Sequence, residues 1–329
     1  MEYMRIPKSK KDKGSIVVGL PRAFFYFRYH TLWQTFFKGL HIKTKVSAPT
    51  NLDMVNMGTK KAVSEMCLAM KIYLGHVAAL ADSVDYMLVP RMRDFGIRRV
   101  MCTNFESLPD IVSNTFHDAS FEVLTYDIDS SKKMDERDAM IKMGIEMGFK
   151  KSEVKKAYKE ALKAQELVDL KNVTETEKKY QSDGIKIAVA GHSYVIEDEY
   201  FGKPVLDYLE ENGVTVVRSD FVKRKDALKM SHKVSPTLKW EISREIVGSL
   251  AMHYQDIDGV ILLSVYPCAL DSMVNDMLMR KNEMTKIPML QLTLDAQSGT
   301  AGTETRLESF IDIIKMRKEA EDHGKEARS

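Results

Sequence analysis

The feature that most constrains the fold is an alternation. Short β-branched runs are followed by helical patterns, and the sequence does this twice, on either side of a long stretch with neither proline nor glycine. In the first half, Ser15 to Leu20 reads as a strand, the nearly continuous apolar residues from Ala23 through Phe37 as a largely buried helix, and Lys43 to Ser47 as a second strand. The loop Pro49-Thr50-Asn51 leads into an amphipathic region from Leu52 to Leu80 with an expected break near Gly58. Tyr86 to Val89 and Phe121 to Tyr126 read as further strands. Between Lys151 and Tyr180, the residues Val154, Tyr158, Ala161, Leu162, Gln165, Val168 and Val173 form one stripe opposite dense lysine and glutamate, which predicts a connecting helix. The alternation then resumes: strand Ile185 to Ala190, helix Pro204 to Asn212, strand Val214 to Val217, helix Leu238 to Met252, strand Gly259 to Leu263, a helix after Leu270, strand Met289 to Leu294 and a closing helix from Thr303. This pattern predicts an α/β protein of two doubly wound parallel-sheet domains. The expected division is a mobile basic tail 1–14, an N-terminal domain 15–150, the connecting helix 151–181 and a C-terminal domain 182–329, with the charged end Lys315 to Ser329 frayed.

Composition narrows the function. Lys plus Arg number 49 and Asp plus Glu 47, a formal net charge of +2, so no field of one sign draws the chain to nucleic acid. The most apolar stretches, Ile16 to Tyr29 and Val260 to Leu270, are interrupted by Pro21, Arg22 and Arg28 or by Pro267. Neither reaches the roughly 18 apolar residues that a membrane span needs. Lys8, Lys10, Lys11 and Lys13 are followed by no apolar signal core, which predicts a cytoplasmic protein with no membrane partner.

Three cysteines, Cys67, Cys102 and Cys268, are too few and too far apart for a disulfide framework. The plain reading is three small buried apolar side chains. Ligands of parallel sheets, however, collect at the carboxyl ends of strands. Cys268 follows the run Val260 to Val265 by a Tyr266-Pro267 turn, Cys102 follows the basic loop of Arg91, Arg93, Arg98 and Arg99, and Cys67 sits within a helical segment. Three converging thiolates suit an iron-sulfur cluster with one iron left open. Zinc held by the same thiolates with His76 or His192 is the alternative, although the close paired spacing of structural zinc sites is absent.

The surrounding residues add a resemblance. Glu65-Met66-Cys67-Leu68-Ala69-Met70-Lys71, Cys102 with Phe105 and Leu108-Pro109-Asp110, and Tyr266-Pro267-Cys268-Ala269-Leu270-Asp271-Ser272 resemble the cysteine motifs of the 2-hydroxyacyl-CoA dehydratase D-component family. The nearest likeness is to its activase-associated (CoA enzyme activase-related) branch, which neighbours the double-cubane cluster proteins. Gly19-Leu20-Pro21-Arg22-Ala23, Lys71 to Val77, Asp85 to Arg91, Gly191-His192-Ser193-Tyr194, Asp295, Ala301-Gly302 and Thr305 to Phe310 extend it over most of the chain. The resemblance implies two Rossmann-like domains with a 4Fe-4S cluster in the cleft between them, ligated by Cys67, Cys102 and Cys268. It further implies an anaerobe's protein whose cluster takes a low-potential electron from an ATP-dependent activase of the sugar kinase/actin type, for dehydration or reduction of a small or CoA-linked substrate. A homodimer or a related second subunit is also implied. Ala69, Thr103, Ala269 and Ala296 stand where the family pattern carries other residues, and all three ligand positions are kept.

Several residues qualify for supporting roles. Asp271 and Ser272, just after Cys268, and His192 with Ser193 are candidates to position an exchangeable ligand or pass a proton, while a hydrogen-bonded rim histidine is the plainer reading of His192. His76, on an apolar helix, reads as a packed histidine. Arg22, Lys71 and Arg306 suit anions at helix starts or, more simply, salt bridges. The four-arginine loop is either a docking patch for an acidic partner or a solvated surface. Gly299 and Gly302 are followed by no Gly-Lys-Ser/Thr and form no phosphate-binding P-loop. The 21 methionines are expected to fill cores. A different class, a non-catalytic electron carrier or cluster scaffold serving another enzyme, is the alternative function.

Overall fold

Strands of a parallel sheet covered on both faces need continuous apolar runs. The first such run, Val17–Leu20, forms β1 and is buried from Val18 onward. The structure, a computed structural model, describes residues 15–97, 99–281, 287–296 and 300–326. The basic stretch 1–14, Arg98 and Gly299 therefore lie outside the described residues. After β1 come β2 (Lys43–Val46), β3 (Tyr86–Leu88), β4 (Arg91–Asp94), β5 (Glu122–Leu124) and β6 (Asp127–Asp129). The second series is β7 (Lys186–Ala190), β8 (Thr215–Arg218), β9 (Gly259–Val265) and β10 (Met289–Leu294).

The chain forms two compact units. One takes the residues up to Leu170 together with Lys239–Glu241, and the other takes Lys171–Leu238 and everything from Ile242 on. In the first unit the parallel sheet runs β2-β1-β3-β5, and β4 and β6 pair as a separate two-stranded parallel sheet. In the second the order is β10-β9-β7-β8, again all parallel. Read from each unit's own first strand, both sheets place the second strand on one side and the third and fourth on the other. Both therefore have a topological switch point, between β1 and β3 and between β7 and β9, where the connections diverge and a crevice opens at the carboxyl ends.

The core of the first unit is aromatic. The helix Tyr26–Gly39 buries Tyr26, Phe27, Tyr29, Leu32, Trp33, Phe36 and Phe37, and the Trp33 indole donates to the Tyr126 hydroxyl at 2.9 Å. The helices Leu52–Lys61 and Leu68–Leu80 pack at backbone distance, because a β-carbon on Gly58 would lie 1.7 Å from the Lys71 carbonyl oxygen and one on Gly75 2.1 Å from that of Met54. The expected break at Gly58 is thus corrected. That glycine lies inside a helix as a packing contact, and the chain turns instead between Ala62 and Cys67. The helix Lys151–Tyr180 buries Val154, Ala157, Tyr158 and Ala161, and Gln165 Oε1 accepts from the backbone of Leu32 at 3.0 Å.

In the second unit β9 is buried along its whole length, and Leu307, Phe310, Ile311 and Ile314 of the closing helix are buried with it. That helix, Thr300–Glu326, stays helical through the charged end expected to fray, with Arg317 and Glu321 paired one turn apart at 3.1 Å. Among the described residues, no helix is long and apolar enough to cross a membrane.

Candidate functional site

Each of the three cysteines is the N-cap of a helix. Cys67 precedes Leu68–Leu80, Cys102 precedes Thr103–Glu106 and Cys268 precedes Ala269–Arg280, all with extended backbone and all half-buried. The placement of Cys67 inside a helix is corrected accordingly: it is the last extended residue before one begins. None of the three side chains hydrogen-bonds the first turn it caps, yet the position at a helix start, near the positive end of the dipole, favours anionic sulfur. Within the first unit, Asn104 Nδ2 lies 3.7 Å from Cys67 Sγ, and Asn104 is the second residue of the turn that Cys102 caps. Among the described residues, no group of three His, Cys, Asp or Glu side chains forms a metal-binding cluster.

At the switch point of the second unit, β7 ends in Gly191-His192 and β9 leads through Tyr266-Pro267 to Cys268. A β-carbon on Gly191 would lie 2.5 Å from the Leu263 carbonyl oxygen, so only glycine lets this turn approach β9. His192 Nε2 and Asp271 Oδ1 are 2.9 Å apart, joining two residues 79 positions apart in the sequence. Both are buried, and among the described residues His192 Nδ1 and Asp271 Oδ2 have no hydrogen-bond partner. The Tyr194 ring stacks on the imidazole, centroids 4.8 Å apart. Asn275, one helical turn after Asp271, is buried with its Nδ2 also without a partner. Ser193 opens the short helix that His192 caps, and Ser272 is exposed, its hydroxyl donating to the Cys268 carbonyl at 2.9 Å.

The other candidates have structural employment. His76 is fully buried between the Ser47 and Thr50 hydroxyls, at 2.8 and 2.9 Å from its two ring nitrogens. Burial first and the charge of Arg22 second lower its pKa to about 4, so it is a neutral packed histidine. Lys71 Nζ donates to the Ser64 carbonyl and Arg306 to that of Gln291, while Arg22 lies over the rings of Tyr26 and Phe27.

Three arginines of the loop are held in ion pairs. Arg91 makes a bidentate pair with Asp110 at 2.8 and 3.0 Å, Arg93 pairs with Glu106 and Asp129, and Arg99 donates to both oxygens of the buried Glu241 carboxylate. These three arginines clamp the first unit. In the same place Val100 forms a parallel bridge with Trp240, so Lys239–Glu241 grips the strand just before Cys102.

A family model described as the CoA enzyme activase uncharacterised domain matches residues 17–222. The chain belongs to that family. The stretch matched to this CoA enzyme activase-related domain contains Cys67, Cys102, His192 and Ser193, whereas Cys268, Asp271 and Ser272 follow it. Among curated proteins, none matches the chain. Of the solved structures, a sugar transporter from Clostridium phytofermentans aligns at 10% identity over 92% of this chain and 93% of that one, with a TM-score of 0.20. A score so low supports no conclusion about fold or function.

Two residues beside these candidates were not visible as such in the sequence: Asn104 and Asn275. Asn104 lies two residues past a cysteine and Asn275 one helical turn past Asp271, spacings that place them near the candidates without marking them.

Proposed function

We propose that the chain is an iron-sulfur component of an activase-linked CoA-enzyme system, with Cys67, Cys102 and Cys268 as the thiolate ligands of a 4Fe-4S cluster. The observation that carries this reading is that every cysteine of the chain caps a helix at a half-buried position. Packed apolar cysteines have no reason to share that setting, whereas thiolate donors gain from it. The donor set fits the group: three soft anionic sulfurs suit iron-sulfur centres and leave one iron without a cysteine ligand. When bound, such a cluster supplies one-electron chemistry and a Lewis-acidic iron.

The chain's own residues then act around it. Asp271 fixes the His192 ring through Nε2, which donates to the carboxylate, and this leaves Nδ1 as the atom able to accept a proton. Ser193 and Ser272 supply hydroxyls beside His192 and Cys268, and Ser272 also steadies the first turn of its helix through the Cys268 carbonyl. Electron delivery is assigned to an ATP-dependent activase of the sugar kinase/actin type, in line with the CoA enzyme activase-related family of the chain. The substrate class is a small or CoA-linked hydroxy or carbonyl compound, taken through dehydration or reduction.

Anaerobic purification tests this reading. About four irons and four sulfides per chain are expected, and replacement of any one of the three cysteines by serine should sharply lower both. One zinc without iron, or three serine variants with normal iron, would refute it. Activase with ATP should reduce the bound iron beyond what dithionite achieves. Equal reduction without them leaves only the electron-carrier function.

A further inference from the structure

Phe24 occupies a backbone conformation that bulky side chains avoid. Its φ is 50°, in the left-handed region, at the carboxyl end of β1 beside the first unit's switch point. Strain of this kind persists where the surroundings over-determine a residue. Here the determinant is its ring, which is buried and stacks on Tyr73 with centroids 5.1 Å and planes 23° apart. The same ring meets Phe105 edge-on at 4.9 Å and 80°, and Phe25 reinforces Phe105 at 4.5 Å. Both arrangements are preferred aromatic geometries and so fix orientation as well as distance.

Tyr73 belongs to the helix that Cys67 caps, and Phe105 to the turn that Cys102 caps. A single ring thus touches both elements that begin at a cysteine. Asn104 links them again, from its own amide to the Cys67 sulfur. We propose that Phe24 is a positioning residue that locks Cys67 and Cys102 as a preorganised dithiol for a soft, thiophilic metal centre. Its purpose rests on the thiolate reading above, but its test needs no metal.

The probe is dibromobimane, which becomes fluorescent on bridging two neighbouring thiols, applied to the metal-free full-length chain. The wild type should give a Cys67–Cys102 bridge by peptide mass, with Cys268 carrying only a single addition, and Cys268→Ser should leave the bridge unchanged. Phe24→Ala should lower bridge yield by about fivefold or more, since small misplacements of reacting groups carry large rate penalties. Phe24→Gly separates positioning from stability. Glycine accepts the positive φ, so this variant should melt higher than Phe24→Ala yet bridge as poorly. The proposal is overturned if the wild type fails to bridge, if Phe24→Ala bridges normally, or if bridging in Phe24→Gly recovers along with stability. Iron and sulfide content judges the cluster reading separately, so the two failures are distinguishable.

Discussion

The two units repeat one strand order and furnish its switch point in opposite ways, and their buried histidines show this best. In the first unit His76 has a hydroxyl on each ring nitrogen. In the second His192 has a carboxylate on one nitrogen and, among the described residues, no partner on the other. An imidazole with a hydroxyl on each nitrogen has both ring atoms engaged, whereas one fixed by a carboxylate through a single nitrogen is oriented and keeps the other nitrogen available. Burial is similar at both, so the count of satisfied atoms, not burial, distinguishes the two histidines.

The largest expected effect tests how the first unit holds its cysteine-capped helix. Gly75→Ala forces a β-carbon to within 2.1 Å of the Met54 carbonyl oxygen and should cost about 4 kcal/mol or more. The chain's two tryptophans, Trp33 and Trp240, both belong to the first unit, so tryptophan fluorescence during urea unfolding follows that unit specifically.

Acid should expose the contrast next. His76 titrates near 6.5 when unfolded and near 4 when folded, so on acidification the unfolded chain takes up the proton first. The stability contributed is complete above about pH 6.5 and is lost as pH falls toward 4, at most about 3 kcal/mol. Tryptophan-monitored unfolding from pH 7 to 4.5 should show this slope, and His76→Gln should flatten it.

A smaller difference separates the two strand ends. A β-carbon at Gly191 meets backbone at 2.5 Å, while one at Gly19 meets only the side chains of Met87 and Val84 at 3.0 to 3.2 Å. Gly191→Ala should therefore cost about 2 kcal/mol and Gly19→Ala about 1 or less, measured by circular dichroism in urea. The smallest effect is kinetic. Diethyl pyrocarbonate should modify His192 at least about tenfold faster than His76, a ratio equivalent to a modest difference in local opening. Equal protection of the two would erase the distinction drawn between them.

The parts of the fold that follow from a residue's own neighbours were legible in the sequence. Lys151–Tyr180 and Met289–Leu294 fall where the helical stripe and the apolar run placed them. β4 and β6 were not legible, because Arg91-Met92-Arg93-Asp94 and Asp127-Ile128-Asp129 carry one apolar residue each. Those strands are held by ion pairs to each other and to neighbours, Arg91 with Asp127 at 3.5 Å and Arg93 with Asp129 at 3.4 Å, and a pairing of that kind has no local signature. The site divides the same way. The cysteines stood out by residue type and surrounding motif. The contact between His192 and Asp271, which lie 79 residues apart, and the contacts of the Phe24 ring with Tyr73 and Phe105 exist only in three dimensions.

The short segment Lys239–Glu241 belongs to the first unit although the sequence on both sides of it belongs to the second. The chain consequently passes from one unit to the other at three places, after Leu170, after Leu238 and after Glu241. Neither unit is a contiguous gene segment. A fragment ending at Tyr180 would lack the carboxylate that receives Arg99 and the backbone that pairs with Val100, so one protease cut in the long helix cannot release an intact first unit. Recombination that exchanged one half of the gene for a homologue's would have to match Glu241 to a foreign Arg99, which ties the inheritance of the two halves together.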